Sequence, residues 1–462
     1  MSLLTELKAF ADSTFPMHMP GGKRSFSSEL PYQWDVTDLA ATDDLYHPAG
    51  LLKDLQDRIS DLWHADRSFV LVNGSTAGIL AAVRATGGGS ILAARNAHRS
   101  FYNAAELCRR NVFFVCPGLA GDVFGSVDPE QIRKGLDANP SVTTVFLTSP
   151  TYEGVVSDIS AIADICRDRR VTLIVDEAHG AHFGFSPLFP KSAVTLGADI
   201  VIQSLHKTLP ALTQTAVLHC GSAWTDAVQR ELAVFQTSSP SYILLSSADE
   251  CVRFLSERDP FPAYEERLLG LRKTLDGMSH LRLLDGKAFF DYDMGKLVLY
   301  PDPPFTGPEC ASFLRKESNV ETEYAAPSFF LSMTSVCDTD ELYARFLRAA
   351  ALLDKAVGDR PPEDRPGFPQ ADASLPEKVY EPFEVRGMDA NICSISESAG
   401  RICAETVWAY PPGIPLLLPG ERIPASLREQ ADRYARAGIP LYGSRQGMLD
   451  GKAGRISVCT EC

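Results

Sequence analysis

The chain has no apolar run long enough to cross a bilayer, so no membrane-spanning segment is expected in its 462 residues. Its first ten residues, Met1-Ser-Leu-Leu-Thr-Glu-Leu-Lys-Ala-Phe10, mix charges at helical spacing and lack a basic region followed by an apolar one. No secretory signal is therefore expected, and the cytoplasm is the default location. Positive charge is scarce: 44 Lys and Arg stand against 59 Asp and Glu, a net charge of −15. A phosphate backbone or an anionic membrane would be repelled on average, whereas a cationic small molecule would not. The eleven cysteines are odd in number and scattered, as at Cys108, Cys166, Cys251 and Cys337, which excludes a simple disulfide framework and suggests reduced thiols. Only Cys459 and Cys462 are closely spaced, and without two further ligands they give no zinc site, so no metal is expected. Internal repeats and low-complexity tracts are also lacking.

What is present centres on Asp199-Ile-Val-Ile-Gln-Ser-Leu-His-Lys-Thr-Leu-Pro210. Ile200 to Ile202 has the length and β-branching of a buried strand, and it delivers Ser204, His206 and Lys207 beyond its end. Some thirty residues upstream, Val171-Thr-Leu-Ile-Val-Asp-Glu-Ala-His-Gly180 repeats the design, ending in Asp176 and His179. An amine at one strand end and a carboxylate at the other match the two needs of pyridoxal phosphate (PLP), at its aldehyde and its pyridinium nitrogen.

Other strand ends carry candidates too. Val72-Asn-Gly-Ser-Thr76 turns from a strand into an apolar helix, where free N–H groups and two hydroxyls make Ser75 and Thr76 candidates for phosphate; a plain helix cap is the alternative. His98 lies at the turn after Ser90-Ile-Leu-Ala-Ala94, where an imidazole could cover a cofactor ring or simply hold the turn. Strands at Val112 to Val115 and Thr143 to Leu147, with a helix from Asp158 to Arg169, complete a βαβ alternation. An α/β fold with a mostly parallel sheet follows, with ligands expected at the strand C-termini.

The domain organisation reads as an N-terminal arm at 1–50, rich in Gly, Pro and charge, and a large domain at 51–260. A smaller lobe follows at 261–357, then a linker at 358–378 marked by Pro and charge, and a C-terminal domain at 379–462.

Taken together, the motifs closely resemble the Orn/Lys/Arg decarboxylases of PLP fold type I, the aspartate aminotransferase-like fold. The shared wording includes Val72-Asn-Gly-Ser-Thr76, Ala94-Arg-Asn-Ala-His98, Asp176-Glu-Ala-His-Gly-Ala-His-Phe-Gly184, Gln203-Ser-Leu-His-Lys-Thr-Leu209, Gln236-Thr-Ser-Ser-Pro-Ser-Tyr242 and Tyr410-Pro-Pro-Gly-Ile-Pro415. The chain resembles the short form of that family, without an N-terminal wing domain. The resemblance implies that Lys207 carries PLP, Asp176 pairs with the pyridinium nitrogen and His98 stacks on the ring. It places His179 near the ring's polar edge and Ser75, Thr76, Ser204 and His206 at the phosphate. Thr237 and Ser238 would reach the phosphate of a neighbouring subunit, making a homodimer the smallest active unit.

The implied reaction is decarboxylation of a basic amino acid, arginine before lysine or ornithine, in polyamine biosynthesis, with Lys207 or His98 returning a proton to Cα. Glu405, with Asp43, Asp44 and Glu153 behind it, is the expected partner of the basic side chain. Gly22 replaces the family's usual arm histidine, and Ala77 and Ala97 stand where Cys is common. An aminotransferase or lyase on the same fold, or an inactive PLP-binding homologue, is the alternative.

Overall fold

The computed structural model describes residues 13, 15–17, 43–360, 375–409, 414–449 and 454–460. Most of the expected arm, including Gly22, the linker stretch 361–374, Tyr410 to Gly413 and Cys462 lie outside the described residues.

The large domain is built on seven strands: β1 (Arg67–Leu71), β2 (Ser90–Ala94), β3 (Val112–Val115), β4 (Val142–Thr148), β5 (Thr172–Asp176), β6 (Ile200–Gln203) and β7 (Ala216–Cys220). They lie in the order β1-β7-β6-β5-β4-β2-β3, and β7 alone runs against its neighbours. Both faces are covered. Ile91, Ile174, Ile200 and Ile202 pack on one side, and Leu92, Leu173, Val175 and Val201 pack on the other. This two-faced burial explains the unbroken apolar runs, since every residue of such a strand meets a core.

Helix α1 (Leu51–Trp63) precedes β1 and buries Leu52, Leu55, Ile59 and Trp63, one stripe at helical spacing. α2 (Gly74–Ala85) and α3 (Arg99–Leu107) lie over the first core, while α4 (Pro129–Ala138) and α5 (Ile159–Asp168) lie over the second. Asp128 and Asp158 cap α4 and α5 by accepting from the N–H groups of Glu130 and Ala161. α6 (Thr225–Phe235) packs against α2.

Two longer helices, α7 (Tyr242–Arg258) and α8 (Phe261–Asp276), lead to a second sheet. Its strands are β8 (Leu281–Leu283), β9 (Lys296–Pro301), β10 (Tyr324–Ala326) and β11 (Phe329–Met333), antiparallel in the order β8-β9-β11-β10. Helices α9 (Gly307–Ser318) and α10 (Asp340–Asp359) complete this lobe, and Phe15–Met17 runs parallel to Val320–Thr322 beside it. A short ladder ties the lobe to the large domain: Val155 and Val156 pair with Tyr292 and Asp291. It brings the segments around Tyr152 and Asp293 together.

The C-terminal part holds β12 (Val407–Ala409), β13 (Pro415–Leu417), β14 (Leu441–Gly443) and β15 (Gly447–Leu449), with α11 (Leu427–Arg436). A separate antiparallel pair joins Ala390–Ser394 to Arg455–Cys459. Two buried ion pairs, Arg95 with Glu421 at 3.2 Å and Arg433 with Asp122, fasten it to the large domain. Among the described residues, no helix is long and apolar enough to cross a membrane.

Candidate active site

The register of the large sheet sets the site. Asp176, the last residue of β5, lies level with Ile202 of β6 and Thr148 of β4, so Asp176 and the segment Ser204 to Lys207 leave the sheet at one edge. Leu205–Thr208 is a single helical turn that starts directly after β6 and carries His206 and Lys207. His98 caps the first turn of α3 from the end of the β2 connection, and Gly74 opens α2 after β1. Gly74 has φ +72°, a conformation that favours glycine and turns the strand sharply into the helix. Four strand ends thus converge, where open α/β sheets place their ligands, beyond the carboxyl ends of the strands.

Lys207 Nζ is 3.1 Å from Nε2 of His179. Burial pushes the lysine's pKa down, and the charges of Asp176 and Glu323 oppose that shift. Asp176 is buried and its carboxyl is raised by that burial, against the pull of Lys207 and the N–H of Ala178. A positive group placed against Asp176 would restore its ionised form.

The imidazoles are neutral for the same reason. Burial, then the charges of Lys207 and Arg99, lowers His98 to about 4. Its Nδ1 accepts from the N–H of Ser100, so the ring proton sits on Nε2. Burial likewise lowers His206 to about 4, and its Nδ1–H donates to the carbonyl of Thr215 at 2.8 Å.

The remaining polar groups at these strand ends are the candidates for holding an anion. Ser204 Oγ is fully buried and has no hydrogen-bond partner among the described residues. Ser75 and Thr76 stand in the first turn of α2, where N–H groups point out of the helix. Thr237 lies close by, because its N–H donates to Oδ1 of Asn73 in the same chain, while Ser238 is exposed. An orphaned buried hydroxyl, a helix N-terminus, an enclosed lysine and a carboxylate in need of a cation fit the phosphate, aldehyde and pyridinium nitrogen of PLP.

Neighbours not singled out in the sequence complete the wall. The ring of Tyr152 lies 4.4 Å from that of His179, and its hydroxyl donates to Glu323. Lys296 Nζ is 3.1 Å from Nδ1 of His179 and 3.9 Å from Asp293, which also meets His182 Nε2 at 3.1 Å. His182 belongs to the same motif as Asp176 and His179, a signal that was visible. Lys296, Asp293 and Glu323 come from the second lobe and belong to no motif.

The expected partners of a basic side chain fare differently. Glu405 is buried and its carboxylate is already filled: Oε1 accepts from Ser457 N–H at 2.7 Å, and Oε2 from the N–H groups of Arg445 and Gln446. It pins the C-terminal strands together, which corrects its placement in a substrate pocket. Asp43 is corrected in the same way, because it gathers the N–H groups of Ala49, Gly50 and Leu52 at the start of α1. Those bonds hold its carboxyl down at about 2. Asp44 accepts from Tyr46 N–H within its own turn. Glu153 is buried, takes a hydrogen bond from the Tyr324 hydroxyl and lines a cavity of about 340 Å³ reaching to Arg95, Asp122 and Arg433. Lys207, His98 and Asp176 do not line that cavity. Among the described residues, no cluster of His, Cys, Asp and Glu could hold a metal.

Residues 20–287 match the model of the Orn/Lys/Arg decarboxylase major domain, and residues 369–437 match that of the Orn/Lys/Arg decarboxylase C-terminal domain. An uncharacterized protein of Bacillus subtilis (strain 168), YaaO, is 33% identical over 441 residues, which cover 92% of this chain and 90% of that protein. A protein of the same organism named arginine decarboxylase is 29% identical over 475 residues, covering 97% of this chain and 96% of its own length. Among solved structures, the lysine decarboxylase LdcF of Francisella novicida superposes with a TM-score of 0.75 at 17% identity, over 90% of this chain and 73% of that one. The fold is PLP fold type I, shared also with aminotransferases such as alanine–glyoxylate aminotransferase from Nostoc sp. (TM-score 0.56). With its major-domain match spanning more than half of its length, the chain belongs to the Orn/Lys/Arg decarboxylase family.

Proposed function

We propose that this enzyme binds PLP at Lys207 and decarboxylates arginine, with lysine and ornithine as poorer substrates, as a cytoplasmic homodimer supplying an amine for polyamine biosynthesis. The observation that carries the reading is the Lys207 amine, 3.1 Å from His179, in the turn that follows β6 and within the charge field of buried Asp176 at the end of the adjacent β5. Relatives named arginine decarboxylase support the substrate choice.

When bound, PLP supplies the electron sink for the pair left on Cα as the α-carboxylate departs as CO₂. The chain's own groups do the rest. Lys207 would make the covalent link, and burial, by lowering its pKa, favours the uncharged amine that the link needs. Asp176 holds a proton on the pyridinium nitrogen by favouring its charged form. His98, with Nε2–H, would lie against the cofactor ring, and Ser75, Thr76, Ser204 and His206 would hold its phosphate. His206 becomes a donor there only by taking up a proton, which the phosphate dianion favours.

For the basic end of the substrate, Glu323 now replaces Glu405. Its charge is felt at both Lys207 and His206, and it takes a hydrogen bond from the Tyr152 hydroxyl, whose ring lies against His179. In the dimer reading, exposed Ser238 would meet a neighbouring subunit, while Thr237 is bonded to Asn73 of its own chain. Light scattering tests the dimer. The reaction is tested by supplying arginine, lysine and ornithine separately and identifying the amine and gas released.

A further inference from the structure

His179 is held between two lysines. Its Nε2 faces Lys207 Nζ and its Nδ1 faces Lys296 Nζ, each at 3.1 Å. An ammonium can only donate a hydrogen bond, and a neutral imidazole offers one donor and one acceptor nitrogen. Burial and the flanking lysines keep His179 far below its usual pKa, so the ring is neutral. Both contacts are hydrogen bonds only if one lysine is an uncharged amine that accepts from the ring.

Asp293 decides which one. Its carboxylate is held ionised by His182, Lys296 and the N–H of Gly295, and it lies 3.9 Å from Lys296 Nζ, with both side chains buried. Among the described residues, Lys207 has no carboxylate within 4 Å. A buried ammonium beside a buried carboxylate is the cheaper place for the shared proton.

We propose that Lys296 is a positioning residue that keeps Lys207 uncharged. Its ammonium donates to Nδ1 of His179, which fixes the ring proton on Nε2, and Nε2–H donates to the lone pair of Lys207 Nζ. Other groups face this chain. Asp176 at the end of β5 and Glu323 from the second lobe pull a proton toward Lys207, while neutral His98 and His206 do not. The Tyr152 ring lies 4.4 Å from that of His179, tilted by 51°, and the charge of Lys296 acts on buried Glu153. The bond from Lys296 offsets the pull of the two carboxylates on Lys207. Because Lys296 begins β9, the amine is fully prepared only with the second lobe seated against the large domain.

The inference rests on Lys207 being the cofactor-linked lysine, which borohydride trapping followed by peptide mass analysis tests by itself. A label on any other lysine defeats that reading and leaves nothing for Lys296 to prepare. The test proper is the rate at which full-length apoprotein captures added PLP, followed by absorbance from pH 6 to 10. Lys296→Met should move the midpoint of that profile upward by about one unit, slowing capture at pH 7 roughly tenfold. In a His179→Phe background the same substitution should move it by less than half as much. Asp293→Asn, which keeps Lys296 but removes its counter-charge, should also move the midpoint up, whereas simple loss of a negative charge would move it down. An unmoved midpoint in Lys296→Met, an equal shift in the His179→Phe background, or a downward shift in Asp293→Asn would overturn the proposal; if Lys296→Met does not fold, the Asp293→Asn result decides.

Discussion

At Lys207, burial works against a charge the residue ordinarily carries, while Asp176 and Glu323 pull the other way. Replacing it with alanine should abolish both the cofactor's visible absorbance and turnover, and a turning-over Lys207→Ala protein would refute its role. Glu405 makes the opposite case. Three backbone N–H groups would each lose a charged acceptor in Glu405→Gln, so a loss of roughly 1–3 kcal/mol in urea unfolding is expected with KM for arginine unchanged. Glu323→Gln should instead raise KM for arginine several-fold with little change in stability; the reverse pattern would return the pocket to Glu405. Lys207, Asp176 and His98 were legible because each sits where an apolar strand stops, a position that composition reveals. Lys296, Asp293 and Glu323 were not, because nothing local marks a residue whose partner lies more than a hundred positions away.

Among the elements, the turn that follows β5 is stapled by Glu177. Its carboxyl takes hydrogen bonds from Ser192 Oγ at 2.6 Å, Ala193 N–H at 2.8 Å and Gln203 Nε2 at 2.6 Å, linking β5, β6 and the segment between them. Burial raises it from 4.5 to about 7 despite those bonds. Folding therefore takes up a proton between those values, and the associated stability is complete below pH 4.5 and lost as pH rises through 7. At about 1.4 kcal/mol per unit this amounts to roughly 3 kcal/mol. Glu177→Gln has no proton to lose, so its stability relative to wild type should improve from pH 5 to pH 8.5 in urea titrations; a worsening would contradict the assignment. The strands of the large sheet were readable to within a residue or two, since two covering layers impose apolar runs. The C-terminal strands were not, because most have only three residues and owe their pairing to Glu405 and to the buried ion pairs with the large domain.

Over the whole molecule, a charge of −15 draws a cationic substrate inward. Raising the ionic strength from about 0.01 to 0.15 M shortens the reach of that field from about 30 to 8 Å, so kcat/KM for arginine should fall. A salt-independent kcat/KM would show that steering plays no part. Fold and reaction class were both within reach of the sequence, because motifs from four strand ends met in one pattern, whereas the substrate pocket depends on how two lobes come together. The central claim is the reaction itself. Its most direct test is to incubate the purified, PLP-loaded protein separately with arginine, lysine and ornithine and to quantify gas and product. The account predicts CO₂ in equal amount with the corresponding amine, fastest from arginine; a keto acid without CO₂, or no product from any of the three, would contradict it.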